Sequence, residues 1–412
     1  MKKTVYLTIC LVLLSVVASC TAQFSEPKGI IEYEGQEVNL SLDGIREVYG
    51  WNPQIKDISN EYGNGKGVIS VSFPKNWTPD DGYDIFDICY ILSDYNVSIT
   101  SIVIPDGETT IVEEAFGGCS SLTSITLPES LTTIEERAFW DCSSLTSITI
   151  PEGVTTIGEE AFFECSSLTS ITLPESLTTI EEEAFSQCYS LTSITIPEGV
   201  TTIGAEAFSY CTSLTSITLP ESLTTIEERA FGDCSSLTSI TIPEGVTTIG
   251  AGAFSGCSSL SSIVVASGNT IYDSRGNCNC IIEKNTGRLI KGSNKSSIPE
   301  GVTTIEGGAF SGCSSLTSIT IPEGVTTIEG GAFSGCSSLT SITLPESLTL
   351  IEGGAFKFCT SLTSVTILSD WLDNMGFDVF YGCSSLVEVI CSESFYDFYG
   401  HILFAGCPVL NK

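Results

Sequence analysis

The spacing of cysteine constrains this chain more than any other feature. Cysteines fall at 119, 142, 165, 188, 211, 234 and 257, then at 313, 336 and 359, then at 383 and 407. The step is 23 residues, widening to 24 at the end, with one gap of 56 between Cys257 and Cys313. Three residues before each of these twelve cysteines stands a phenylalanine, from Phe116 to Phe404. A fixed period in the twenties, with apolar residues in fixed columns, is the signature of a solenoid. One such unit is too small to bury its own apolar face, so units must stack and share a continuous core. The 412 residues therefore read mainly as one long array and not as a set of ordinary domains.

Within the unit "CSSLTSITIPEGVTTIGEEAFFE" (142–164), Leu145 to Pro151 alternates apolar and hydroxyl residues and is rich in β-branched types. That predicts a strand with Ile148 and Ile150 inward and Ser147 and Thr149 outward. Pro151, lacking an N–H, ends the ladder. "EGV" predicts a turn in which Gly153 takes positive φ, and "VTTI" a second short extended piece burying Val154 and Ile157. "EEAF" is expected to make a helical turn, with Glu159 and Glu160 near its positive end and Phe162 buried. About fourteen coils of roughly 4.8 Å each would stack into a rod on the order of 65 Å long.

The pattern F..C.SLTSI.IP..VT.I...AF resembles the BspA-like leucine-rich repeat of bacterial surface proteins, over roughly residues 84–407, about four-fifths of the chain. Pro stands where the commonest leucine-rich consensus has Asn or Cys after the strand. That favours a β-rich coil with short helical turns over a smooth horseshoe with long outer helices. The expected fold class is a repeat solenoid, a β-rich leucine-rich-repeat array of 23-residue coils over 84–367. "DYNVSITSIVIPDG" joins the array if Asn96 takes the Cys column and Ile102 and Ile104 the strand columns. An interruption spans 264–298, where "NCIIEKNTGRLIKG" predicts a hairpin turning at Asn285 to Gly287. Residues 368–412 are expected to be atypical C-terminal repeats and a cap, since an array must cover its open core. Residues 20–83 do not repeat and read as a linker and a small β-rich N-terminal cap, a separate minor domain being the alternative.

The N-terminus, "MKKTVYLTICLVLLSVVASC", opens with Lys2 and Lys3 and continues apolar from Val5 to Val17, too short for a comfortable membrane span. "VASC" resembles the lipobox of bacterial lipoprotein signals. By that resemblance residues 1–19 are a signal peptide and Cys20 is lipidated; an ordinary signal peptide with an incidental Cys is the alternative. The expected location is the bacterial cell envelope, lipid-anchored, on the outer membrane facing outward. The membrane is met only through that anchor.

Charge and composition remove several functions. The net charge of −34, with 16 Lys and Arg in total, leaves no phosphate-binding surface for nucleic acid. The ladder cysteines, set in one column among Leu, Ile and Phe, read as buried reduced thiols and not as disulfides or a zinc cluster. Cys278 and Cys280 lie in the interruption; alternate strand faces are the favoured account, a metal the other. The Glu columns read as a solvated acidic edge, with a weak cation ladder the alternative. The only histidine is His401, and no HExxH, Walker loop or GxSxG elbow is present. No catalytic residue, metal or cofactor is called for.

The resemblance implies an adhesion or recognition protein that binds extracellular or host matrix proteins, fibronectin and fibrinogen being examples for relatives. The alternatives are a structural spacer, an ice-binding hydroxyl face built from Ser124, Thr126, Ser147 and Thr149 and their equivalents, and a glycan-active enzyme. Strand, Pro and Phe columns hardly change between repeats, whereas the two residues between Phe and Cys change freely. Trp140, Phe163, Tyr210 and Phe358 fall there, and Tyr189 follows a Cys directly. These five form the candidate binding edge, aromatics being enriched at binding hot spots. Neutral drift in a solvent-facing turn is the other account.

Overall fold

The structure, a computed structural model, describes the backbone of strands Gly29–Tyr33, Gln36–Leu40, Gln54–Ser59 and Gly67–Ser72, then residues 97–404 except Pro105, and Cys407. Cys20 and Asn96 lie outside the described residues, as does the side chain of His401. The chain divides into two compact units, Met1–Ser176 and Leu177–Lys412. In each, the repeats form coils of a β-solenoid with little helix.

In the first unit, Ser147–Thr149 pairs in parallel with Ser170–Thr172, each residue facing its counterpart one repeat away. Thr133–Ile134 pairs likewise with Thr110–Ile111 and Thr156–Ile157. The second unit repeats the scheme, for example in the ladder from Thr179–Ile180 through Thr202–Ile203 and Thr225–Ile226 to Thr248–Ile249. A constant step keeps every column in register, so the apolar residues of successive coils meet. Ile148 and Ile150 are buried, while Ser147 and Thr149 are exposed. Other hydroxyls bond to the neighbouring coil: Thr123 and Thr169 each donate to the carbonyl of the Thr one repeat back.

The "EEAF" segment folds as successive i→i+3 turns. The N–H groups of Ala138, Trp140 and Cys142 donate to the carbonyls of Glu135, Arg137 and Phe139 at 3.0–3.4 Å. Two residues per coil, one two before and one two after the Phe, are left-handed; in this coil they are Arg137 (φ 53°) and Asp141 (φ 51°). Gly153 behaves otherwise than expected, since it is absent from the left-handed residues. A Cβ there would sit 2.4 Å from the Leu131 carbonyl oxygen of the preceding coil, so the glycine serves close approach. The next coil has Ser at this column, and Ser176 donates to the Val154 carbonyl at 2.7 Å.

The phenylalanines stack face to face. In the first unit Phe116, Phe139 and Phe162 have centroids 5.3 and 5.0 Å apart. In the second, Phe208 lies 5.3 Å from Phe185 and 5.5 Å from Phe231. Beside them ladder thiols donate to the carbonyl of the Phe in the preceding coil, as Cys142 does to Phe116 and Cys234 to Phe208, both at 3.1 Å. Burial pushes the Cys211 thiol up to about 12, which keeps it protonated as a donor. Cys119 departs from the expected reduced column, being held in a disulfide. It lies at the start of the array, whereas Cys142 and the later ladder cysteines are free thiols.

Two regions break the pattern. At the start, Gln54–Ser59 pairs antiparallel with Gly67–Ser72, which runs parallel to Val97–Val103 and so extends the sheet that reaches Ser124–Thr126. Ile102 and Ile104 are buried in the strand columns. In the second unit, Ile281–Glu283 and Arg288–Lys291 form an antiparallel hairpin turning through Gly287 (φ 70°), and Arg288–Lys291 pairs in parallel with Thr304–Ile305. At the end a helix, Glu393–Leu403, is capped by Ser392, whose hydroxyl accepts from the Phe395 N–H. Phe404 then stacks on Phe380 at 5.2 Å.

Candidate recognition surfaces

Two residues of the candidate edge, Tyr210 and Phe358, share a backbone feature that sequence reading missed. In every coil from Phe116 to Phe380, the second residue after the Phe is left-handed: Gly at 118, 256, 312, 335 and 382, and Asp141, Glu164, Gln187, Tyr210, Asp233 and Phe358 elsewhere. What looks like free variation is a column that Gly fills without strain and other residues fill at a cost. Neighbouring coils also compensate one another. A Cβ on Gly117 would lie 3.7 Å from the Trp140 ring, and one on Gly382 would lie 2.5 Å from the Phe358 ring. The Phe358 ring thus stands where the adjacent coil offers glycine. Trp140, in the first unit, and Tyr189, Tyr210 and Phe358, in the second, are exposed at 38–48%. Phe163, in the first unit, is only half-buried.

Exposed aromatics gather more densely in the last coils. Phe358 and Tyr381 meet edge to face with centroids 5.8 Å apart, and the Lys357 ammonium sits 5.2 Å from both rings. Trp371 and Phe398, exposed at 56% and 61%, lie 5.4 Å apart. Phe377 is almost fully exposed.

Residues 93–211, 178–287 and 290–411 match the family described as the BspA type leucine rich repeat region, in six copies. The chain belongs to this family. Among solved structures, a leucine rich cell surface protein from Faecalibacterium prausnitzii is similar at 30% identity and TM-score 0.61, covering 84% of this chain and 97% of that one. A leucine-rich repeat protein from Bacteroides ovatus matches at 26% identity and TM-score 0.51, covering 87% and 99%. The pneumococcal vaccine antigen PcpA, at 20% identity and TM-score 0.54 over 94% and 100%, shares the fold. No curated protein sequence matches the chain.

The acidic columns of this BspA-type array are more than a solvated edge. Four residues before the Phe, Glu135, Glu227, Glu329 and Glu352 accept the backbone N–H of Glu113, Ala205, Gly307 and Gly330 in the preceding coil, at 2.9–3.2 Å. A carboxylate is used because it reaches back to a donor the turn leaves free. Arginines interrupt the stacked charge. Arg137 makes a two-pronged contact with Glu160 at 2.8 and 2.9 Å, and Arg229 lies 3.6 Å from Glu206.

The interruption holds the two thiols that sequence reading placed on alternate strand faces. Both are buried in a turn and not on a strand: Cys280 donates to the carbonyls of Cys278 and Ser297, each at 3.3 Å. The bond between the two side chains draws the Cys278 thiol below its ordinary range and, together with burial, pushes Cys280 up. Among the described residues, no group of three or more His, Cys, Asp or Glu side chains is placed to hold a metal ion.

Proposed function

We propose that this chain is a cell-surface recognition protein that binds extracellular or host matrix proteins by contact and not by chemistry. The observation that carries this reading is the presence of exposed aromatic rings on left-handed backbone. Tyr210 (φ 58°) and Phe358 (φ 60°) occupy a column where five other coils carry glycine. The array tolerates glycine there, so the rings are not needed for the coil to close, and bulky residues at positive φ signal a use beyond folding. Large rigid aromatics carry much of the binding energy in protein interfaces. The family supports it too, a similar chain being a cell surface protein. Changing Trp140, Phe163 and Tyr210 together to Ser should weaken binding to immobilised fibronectin or fibrinogen while thermal unfolding stays unchanged. Undiminished binding by that variant would remove the edge from the interface. If trimming 264–298 then abolishes binding, the hairpin is the contact.

Attachment follows from the lipobox resemblance. Cys20 carries the lipid and holds the chain to the outer membrane, facing outward. Cys20→Ser should leave a protein that no longer enters the detergent phase; unchanged partitioning would defeat the assignment.

A further inference from the structure

The coil that ends at Cys383 is one residue longer than those before it, and the extra length sits in one turn. Between the strand Ser341–Leu344 and buried Leu348 lie three residues, Pro345 to Ser347; between Ser364–Ile367 and buried Leu372 lie four, Leu368 to Trp371. Asn374 still pairs with Leu350, so the register is kept and the extra residue is absorbed by the turn. That turn is built with care. The Ser369 hydroxyl, itself buried, donates to the Trp371 carbonyl at 2.7 Å and accepts its N–H at 3.4 Å. Tyr399, on the terminal helix, donates to the Leu372 carbonyl at 3.0 Å and packs its ring 5.7 Å from Trp371. Trp371 and its neighbour Phe398 are thereby fixed in place while more than half exposed. Rings held in position bind with less ordering cost than rings that must be recruited.

The chain segment that carries these rings has charged residues of one sign. Between Phe358 and Gly400 the sequence carries Asp370, Asp373, Asp378, Glu388, Glu393 and Asp397 and no Lys or Arg. Asp370, Asp373 and Asp397 are exposed, and each lies within two residues of Trp371 or Phe398. The same unit shows what a ring pair does with a cation at hand: Lys357 lies over both Phe358 and Tyr381. The Trp371–Phe398 pair has no such residue in its own stretch of chain.

We propose that the Trp371–Phe398 ring pair, with Asp370, Asp373 and Asp397, is a docking site for an arginine-rich segment of a partner protein. Aromatic faces attract cations, guanidinium most of all, and the carboxylates add charge-assisted hydrogen bonds. The net charge of −34 would steer a basic partner toward the protein, and the rings give that encounter a place. This inference rests on the protein-binding reading above and gives the partner its chemistry.

The test measures binding of fluorescein-labelled hexaarginine and hexalysine to the full chain at physiological salt. Trp371→Ala/Phe398→Ala should weaken hexaarginine binding about tenfold, and hexalysine binding less, since the ammonium stacks poorly. Asp370→Asn/Asp373→Asn/Asp397→Asn, which keeps the apolar packing, should weaken both peptides. Phe377→Ala/Val387→Ala, a loss of exposed apolar side chains outside the pair, should bind as the unmodified chain does. Thermal unfolding of each variant confirms that it is folded. Equal hexaarginine binding by all four proteins would overturn the site, because charge alone would then suffice. So would a dimer in sedimentation that Trp371→Ala/Phe398→Ala breaks, or a glycan panel that the ring variant alone fails to bind. Should the site fail while the Trp140, Phe163 and Tyr210 substitutions still abolish fibronectin or fibrinogen binding, the recognition function stands and only this assignment falls.

Discussion

The regular coils and the interruption at 264–298 solve the same packing problem in different ways. In a regular coil the Phe, Cys and Ala columns repeat one residue type, and the other interior columns change only among Val, Leu and Ile. Phe208 has a ring on each face, and Cys234 donates to the carbonyl beside it. Across the interruption this regularity fails. The Gly292 N–H donates to the Ala309 carbonyl, as a phenylalanine N–H does elsewhere, so Gly292 holds a Phe position without a ring. A Cβ on Gly292 would lie 2.0 Å from the Phe310 ring, which fills that space. The interior there also takes polar groups. Asn269 is buried and fully used, its amide donating to Pro243 and Val246 and its oxygen accepting from Ile271 and Tyr272. Lys291 is equally buried, yet its ammonium makes no hydrogen bond. Repetition solves every hydrogen bond and contact once for all coils; an insertion must solve its own, and this one leaves a charge unpaired.

The largest effect should come from the aromatic stack. Phe208→Ala removes a fully buried ring with aromatic neighbours on both sides and should cost about 3–5 kcal/mol. Phe310 stacks on Phe333 at 4.8 Å on one face and meets Gly292 near its edge. Phe310→Ala should therefore cost less, by about 0.5–1.5 kcal/mol, the worth of one aromatic pair. Denaturant midpoints of the two variants measure the difference. Equal losses would show that the interruption is packed as well as the regular coils.

The second effect has the opposite sign. Lys291→Met keeps the length of the side chain and removes the unpaired charge. It should stabilise the protein by about 1–3 kcal/mol, the desolvation cost of a buried group without a partner. Calorimetry on the full chain reads it as a rise in Tm. A fall would mean that the ammonium has a favourable role, and the first place to look is the nearby thiols of Cys257 and Cys313, which burial pushes up and Lys291 partly draws back.

These contrasts mark how far the sequence could be read. Period, strand columns, the Phe and Cys interior and the hairpin turn were legible, because each depends on local chemistry repeated many times. Gly153 was legible only as a glycine: its role depends on the Leu131 carbonyl one coil back, a contact invisible within a single repeat. The left-handed column was hidden for the same reason, since Asp, Gln and Tyr beside Gly look like drift until φ is seen. Lys291 gave no signal at all. On the hairpin it follows an alternating pattern that suits either face, and only the lost Phe position puts it inside. The Trp371–Phe398 pair was hidden because its members lie far apart in the sequence and meet only once the terminal helix is in place.

The smallest effect concerns the edge where the hairpin joins the regular coils. Glu135, Glu227, Glu329 and Glu352, four residues before the Phe of their coils, accept a backbone N–H from the coil before, as Glu329 does from Gly307. Glu306 holds that column next to the hairpin, where its nearest cation is Arg288 at 3.7 Å, shared with Glu329 at 3.3 Å. Burial, with the neighbouring Glu329 and Glu283 adding to it, outweighs Arg288 and pushes Glu306 up to about 7. The folded protein thus holds this proton more tightly than the unfolded chain, whose carboxyl titrates near its ordinary value. Its contribution to stability is fully present below about pH 4.3 and is lost as pH rises through about 7. Glu306→Gln keeps the neutral shape at every pH. The variant should match the unmodified chain in Tm at low pH and exceed it by a degree or two above neutrality, with the difference opening between the two pKa values. A difference that stays constant with pH would mean that the Glu306 carboxyl titrates alike in the folded and unfolded chains, and that the hairpin edge does not disfavour its charge.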